Sequence, residues 1–179
     1  MNKKILVISG SPRKGGNSDT LCDQFIQGCT GQGNSAEKIY LSDYKINFCT
    51  ACYACKQSGK CVQKDDMQKI IDKMEKADII VLSTPVYFYA INGQMKTMID
   101  RTMACYYPRT LENKEFYFIA TAAEGESAVK RALDGLYGFT DCIPGAAVKG
   151  VICGANAWQL GDIKGNPAMV QAYEAGSNI

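Results

Sequence analysis

The sequence predicts an α/β protein, a doubly wound sandwich built on a parallel sheet. Three observations carry that reading. Short apolar runs alternate with amphipathic helical stretches along the 179 residues, as in serial βαβ units. One run, Ile79-Ile80-Val81-Leu82, is apolar at every position, as a strand covered on both faces must be. Glycine, proline and polar residues gather in the loops that leave the carboxyl ends of the expected strands, where ligands bind in such sheets.

Lys4–Ser9 reads as the first strand, a short apolar run stopped by a glycine-rich turn. Ser18–Cys29 reads as a helix, because Leu21, Phe25 and Cys29 fall on one face at i, i+4 and i+8. Glu37–Leu41 is a second, shorter strand. After a cysteine-rich loop, a helix begins at Asp65 or Asp66; Asp65 with Gln68 fits a capping box, and Met67, Ile70, Ile71 and Met74 form its apolar stripe. Asp78–Leu82 is the third strand, ended by Ser83-Thr84-Pro85. Asn92–Met103 is the next helix, with Met95, Met98, Ile99 and Met103 inward. Glu115–Thr121 is a fourth strand and Ser127–Tyr137 a helix through Val129, Leu133, Leu136 and Tyr137. Ala147–Cys153 and Pro167–Ala175 complete a fifth βα unit. With no repeat and no linker, residues 1–179 are expected to form a single domain.

Composition excludes several function classes. The formal charge is +2 and no run of Lys or Arg stands out, so nucleic acid is not an expected partner. No stretch approaches the roughly 18–20 apolar residues of a membrane span. The apolar run after Met1-Asn2-Lys3-Lys4 is too short for a signal peptide, so a cytoplasmic chain with nine reduced cysteines is the expectation. The chain has no histidine, which removes every histidine-based triad, proton shuttle and metal site. Catalysis must borrow its chemistry from a cofactor.

Four loops leave the strand ends: Gly10–Asn17, Ser42–Lys64, Thr84–Gly93 and Thr121–Gly125. The first brings hydroxyls, the Arg13 guanidinium and free backbone N–H groups to a helix N-terminus, a phosphate cradle that is neither a Walker A nor a G-x-G-x-x-G loop. A capped turn with incidental glycines is the plainer alternative. The third carries Tyr87, Phe88 and Tyr89 in a row, at least one of which should line the crevice beside a flat ring. The second contains Cys49, Cys52, Cys55 and Cys61 in the spacing C-x2-C-x2-C-x5-C, all on one loop and none followed by proline. An iron–sulfur cluster, plain or disulfide-paired thiols, and zinc remain open for it.

The run Gly10-Ser11-Pro12-Arg13-Lys14-Gly15-Gly16-Asn17-Ser18, the run Thr84-Pro85-Val86-Tyr87-Phe88-Tyr89 and Gly93–Arg101 together resemble the NADPH-dependent FMN reductase family, most nearly its iron–sulfur flavoprotein branch. The resemblance runs from Lys4 to about Arg101 and weakens after Thr121. It implies a flavodoxin-like three-layer sandwich with a five-stranded parallel sheet in the order 2-1-3-4-5. It implies that Ser9, Ser11, Arg13, Asn17, Ser18 and Thr20 hold the phosphate of FMN, and that Pro85, Val86, Tyr87 and Phe88 line the flavin. Thr121, Ala122 and Gly125 would stand near the ring, where the family often carries paired glycines. Cys49, Cys52, Cys55 and Cys61 match the compact motif of the iron–sulfur branch and would ligate a [4Fe–4S] cluster.

The activity implied is an FMN-dependent oxidoreductase taking electrons from NAD(P)H and passing them to a small acceptor such as a quinone or free flavin. Tyr87, Tyr106 and Tyr107 are candidates for the acceptor space. An iron–sulfur flavoprotein shuttling electrons between redox protein partners is the rival, and a phosphate-binding or zinc-stabilised interaction domain the third reading. A homodimer or homotetramer is expected from the aromatics at the mouth.

Overall fold

The computed structural model describes residues 2–179. Its strands are β1 (Lys4–Ser9), β2 (Ser35–Tyr40), β3 (Ile79–Tyr87), β4 (Ala90–Ile91), β5 (Glu115–Thr121) and β6 (Ala147–Gly154). Its helices are α1 (Asn17–Gly31), α2 (Cys55–Ser58), α3 (Met67–Lys76), α4 (Gly93–Arg101), α5 (Met103–Tyr106), α6 (Glu126–Asp141) and α7 (Pro167–Ser177). The parallel sheet runs β2-β1-β3-β5-β6, and β4 pairs antiparallel with β3 alone. Leaving β4 aside, this is the expected 2-1-3-4-5 order of a flavodoxin-like sheet.

Side-chain alternation along the strands divides the interior in two. Leu6, Ile8, Ile80, Leu82, Phe116 and Phe118 face one core, shared with α3, α4 and α6. Ile5, Val7, Ile79, Val81, Tyr117 and Ile119 face the other, shared with α1 and α7. The second core is closed by close approach of two helices. A Cβ on Gly28 of α1 would lie 2.2 Å from the Tyr173 carbonyl of α7, and one on Gly176 of α7 2.2 Å from the Phe25 carbonyl of α1. Only glycine permits that backbone contact.

Several elements depart from expectation. The third strand does not stop at Ser83-Thr84-Pro85 but runs to Tyr87, pairing Pro85 with Thr121 of β5. Opposite Ser83, β1 ends, so beyond that point β3 has no neighbour on that flank to which Pro85 need donate. The strand then folds back through a two-residue turn, Phe88–Tyr89, into β4. The expected Asp65–Gln68 capping box is absent. Gln68 donates to Asp72, and the Asp65 carboxylate is taken by the Met67 N–H and by Arg101. The expected helix to Met103 breaks after Arg101, and Met103 is exposed rather than inward. Tyr137 is likewise at the surface, its ring edge-on to Phe118 at 5.2 Å. Among the described residues no helix is long and apolar enough to cross a membrane.

Candidate functional site

A cleft of about 270 Å³ opens at the carboxyl ends of β1, β3, β5 and β6. One end is the start of α1. Gly16 precedes the helix in an extended conformation and no side chain caps it, so the first-turn N–H groups have no partner within the helix and carry its positive end. The preceding turn is braced from within. Ser11 Oγ donates to the Arg13 carbonyl (3.0 Å) and accepts from the Arg13 N–H (3.1 Å). Gly15 N–H donates to Asp19 Oδ2 at 2.7 Å, and the buried Asp19 carboxylate is paired with Lys38 Nζ at 2.8 Å. Burial pulls the Lys38 ammonium down, but its bonds to Asp19, Asp23 and Tyr40 outweigh that and hold it above its ordinary value. Arg13 stays exposed at the cleft wall.

The loop is also tied to the next strand connection by Asn92, which is buried. Its side-chain N–H groups donate to the Gly10 carbonyl and to Gln94, and its Oδ1 accepts from the Thr84 hydroxyl at 3.0 Å. A Cβ on Gly10 would stand 2.7 Å from that same Oδ1, so the loop closes only with glycine there. Pro85, Val86 and Tyr87 form the apolar wall opposite α1, with Thr121 and Ala123 between. The turn that follows holds Phe88 and Tyr89 at φ of 50° and 60°, left-handed values that bulky residues rarely adopt. Arg131 stacks over the Tyr89 ring at 4.7 Å.

Of the thirteen residues expected at this site, eight line the cleft: Ser11, Arg13, Asn17, Ser18, Pro85, Val86, Tyr87 and Thr121. Five do not. Ser9 and Ala122 are sealed under the floor, the Ser9 hydroxyl without a partner. Thr20 turns its hydroxyl back to the Gly16 carbonyl. Phe88 sits at the hairpin tip, fully exposed, and Gly125 serves as the cap of α6. Asn17 reaches the cleft edge, but its side chain is consumed. Its Nδ2 donates to the carbonyls of Ala157 and Gln159, and its Oδ1 accepts from the N–H groups of Gly161 and Ile163. The side-chain amide is thereby engaged within the chain, and a phosphate contact from Asn17 would fall to its backbone N–H in the first turn of α1. The side chain anchors the loop between β6 and α7.

That loop supplies the part of the site the sequence reading missed: Ala157, Trp158, Gln159 and Leu160 close the cleft's open side. Trp158 is the sole tryptophan of the chain, and Asp162 fixes its turn by accepting from the Trp158 and Gln159 N–H groups. A lone tryptophan in a polar loop beyond a strand's carboxyl end was the available signal.

The four loop cysteines, Cys49, Cys52, Cys55 and Cys61, line a second, smaller cavity of about 80 Å³ with Tyr53, Arg101 and Met103. Ala51 and Tyr53, between them, are in the left-handed region at φ of 51° and 57°. Hydrogen bonds from the Ala54 backbone and then from Thr50 lower the exposed Cys52 thiol. Burial raises Cys55, and the neighbouring charges of Cys61, Cys52 and Cys49 raise it further. Among the described residues no three Cys, Asp or Glu side chains are placed to hold a single metal ion. The four thiols nevertheless share one enclosure. The cleft and this cavity have no lining residue in common. Asn92 holds the cleft loop at one end of α4, and Arg101 reaches the cysteine loop at the other, about 14 Å along a nine-residue helix.

A larger cavity, about 590 Å³, lies elsewhere, between α4–α5 and α6. It holds Tyr106 and Tyr107, which are thereby separated from Tyr87. The cleft of about 270 Å³, by contrast, joins an uncapped helix start, Arg13 and an apolar wall where strand order reverses, features that suit an anionic planar ligand.

A sequence model described as NADPH-dependent FMN reductase matches residues 3–150. An iron–sulfur flavoprotein of Archaeoglobus fulgidus is 40% identical over 111 residues, 62% of this chain and 50% of the relative. One of Methanocaldococcus jannaschii is 34% identical over 136 residues, 76% of this chain and 70% of the relative. The match thus spans about half the length of the first. A solved structure of a NAD(P)H:quinone oxidoreductase from Methanothermobacter marburgensis covers 99% of this chain and 97% of its own, with a TM-score of 0.79 at 14% identity, a likeness of fold alone.

Proposed function

This chain belongs to the NADPH-dependent FMN reductase family, and we propose that it is an FMN-dependent oxidoreductase that takes electrons from NAD(P)H and passes them to a small acceptor such as a quinone or free flavin. One observation carries the reading: the uncapped start of α1 and Arg13 face an apolar wall, Pro85-Val86-Tyr87, across a single open cleft. The chemistry of the donor set fits FMN. The α1 amides, the Ser18 hydroxyl and Arg13 suit a phosphate dianion, and the Pro85–Tyr87 wall suits a flat ring. Bound FMN supplies hydride acceptance and electron release. The chain's own residues bind, orient and shield. Asn92 fixes the two loops, Asn17 holds the Trp158 loop against the open side, and Tyr87 borders the face where donor and acceptor take turns.

Anaerobic addition of NADH or NADPH to FMN-loaded protein should bleach the flavin band, and steady-state plots with a quinone acceptor should be parallel, as in a two-step exchange. Intersecting lines would require a second nucleotide site, and no bleaching by either nicotinamide would reject the reductase reading.

A second reading is favoured by the shared cysteine enclosure. Cys49, Cys52, Cys55 and Cys61 would hold a [4Fe–4S] cluster, making the protein an iron–sulfur flavoprotein that relays single electrons. Structural zinc sites usually pair two separated knuckles, whereas these four thiols come from one loop and line one cavity, which suits the cubane better than zinc. Iron and sulfide analysis of protein purified without oxygen should give about four of each per chain. Retention of neither after anaerobic reconstitution would leave plain thiols.

A further inference from the structure

Arg101 is among the largest fully buried side chains of the protein, at 2% exposure. Burying a guanidinium is costly unless every charge and donor finds a partner. Here Nε is left without a partner among the described residues, but the two terminal nitrogens converge on one feature, the neck of the cysteine loop. Nη1 donates to the Asn47 carbonyl at 2.7 Å and to Asp65 Oδ2 at 2.6 Å. Nη2 donates to Asp65 Oδ1 at 3.0 Å and to Cys61 Sγ at 3.4 Å. Asn47 N–H closes the ring by donating to Asp65 Oδ2 at 2.9 Å. Asn47 lies just before the first cysteine and Asp65 just after the last, so one planar fork joins both ends of the loop and touches a sulfur inside it. A lysine, a point charge without the fork, cannot make these contacts at once.

We propose that Arg101 is the positioning residue of the four-cysteine site: it locks the neck of the loop whether or not iron is present, and its N–H bond to Cys61 Sγ raises the reduction potential of a cluster held there. The second half rests on the iron–sulfur reading above. Hydrogen bonds to ligand sulfurs stabilise the more negative, reduced state, so losing one favours the oxidised state. The loop carries two left-handed residues, Ala51 and Tyr53, a conformation that must be held from outside. The fork fixes the two ends of the segment that carries them.

Two arms test this with Arg101→Lys and with the double variant Asp65→Asn/Arg101→Gln, which removes both charges together so that neither is left buried alone. In iron-free protein, tryptic cleavage after Lys56 and Lys60, both inside the loop, should be at least about tenfold faster in either variant than in wild type. In reconstituted protein, a dye-monitored anaerobic titration should place the Arg101→Lys cluster lower by a shift of about tenfold in the one-electron equilibrium, about 59 mV. Unchanged cleavage overturns the locking role. An unchanged potential, or an equal fall in Lys56→Gln, which removes a nearby charge not bonded to sulfur, overturns the hydrogen-bond role. Wild-type protein that retains no iron overturns the potential half together with the cluster reading, while the cleavage arm still decides the lock.

Discussion

At the scale of single residues, Arg13 stands at the cleft wall beside the free amides of α1, and a charge-assisted bond from it to a phosphate contributes about 1.5–3 kcal/mol. Arg13→Ala should weaken FMN binding by about 10- to 150-fold while leaving riboflavin, which has no phosphate, nearly unaffected. Titration of flavin-free protein with both ligands measures the contrast, and equal losses would place Arg13 at the ring instead. Asp65 gives a pH signature. Hydrogen bonds from Arg101 above all, helped by the Asn47 and Met67 N–H groups, hold its carboxyl at about 2, against 3.8 ordinarily. A carboxylate depressed on folding stabilises the native state above its unfolded pKa and ceases to as pH falls through the folded one. The contribution, about 2 kcal/mol, should be complete above about pH 5 and vanish between about pH 4 and 2. Denaturant midpoints of wild type and Asp65→Asn should therefore differ at pH 6 and converge toward pH 2. Asn17 shows what residue-level reading leaves out. Its place in a phosphate-type loop was legible, but its partners lie some 140 positions away, where sequence spacing carries no information. Arg101 was visible only as the end of a motif, because burial of a charge is decided by tertiary packing.

At the scale of elements, the β3–β4 hairpin puts Phe88 and Tyr89 where a two-residue turn favours Asn-Gly. Each left-handed aromatic costs roughly 1–2 kcal/mol, partly offset by the Arg131 contact to Tyr89. Phe88→Asn with Tyr89→Gly should raise the melting temperature by about 2–8 °C. If the exposed tip serves catalysis, the same variant should slow turnover with bulky acceptors. A melting temperature that falls would show the aromatics to be held at no cost. The strands and the long helices were legible because burial on both faces, or on one stripe, leaves a period in the sequence. The hairpin was not. Pro85 reads as a stop, and its tolerance depends on β1 ending beside it. The capping box failed for a related reason, since Arg101, 36 positions away, competes for the Asp65 carboxylate.

At the scale of the whole molecule, the placing of binding loops on one edge followed from the alternation of strand and helix, and the sheet order from the family resemblance. The cleft's fourth wall did not, because it comes from the segment before α7, where the resemblance had faded. That wall leads into α7, which packs backbone to backbone on α1 through Gly28 and Gly176, while α1 presents its first turn to the cleft. The carboxyl-terminal segment is thus fastened at both ends to the helix proposed to receive the phosphate: by the Asn17 amide at the wall and by the glycine contact at the far end. Occupancy should therefore be felt by amides that never meet the ligand. Hydrogen–deuterium exchange at Ala168–Gly176 should slow on saturation with FMN, in step with exchange in the 157–163 loop, and Asn17→Ala should uncouple the two. Protection confined to the cleft-lining loops would mean that the closing segment opens and shuts by itself. If protection spreads, the last quarter of the chain is the protein's slow-exchange reporter of whether its flavin is in place.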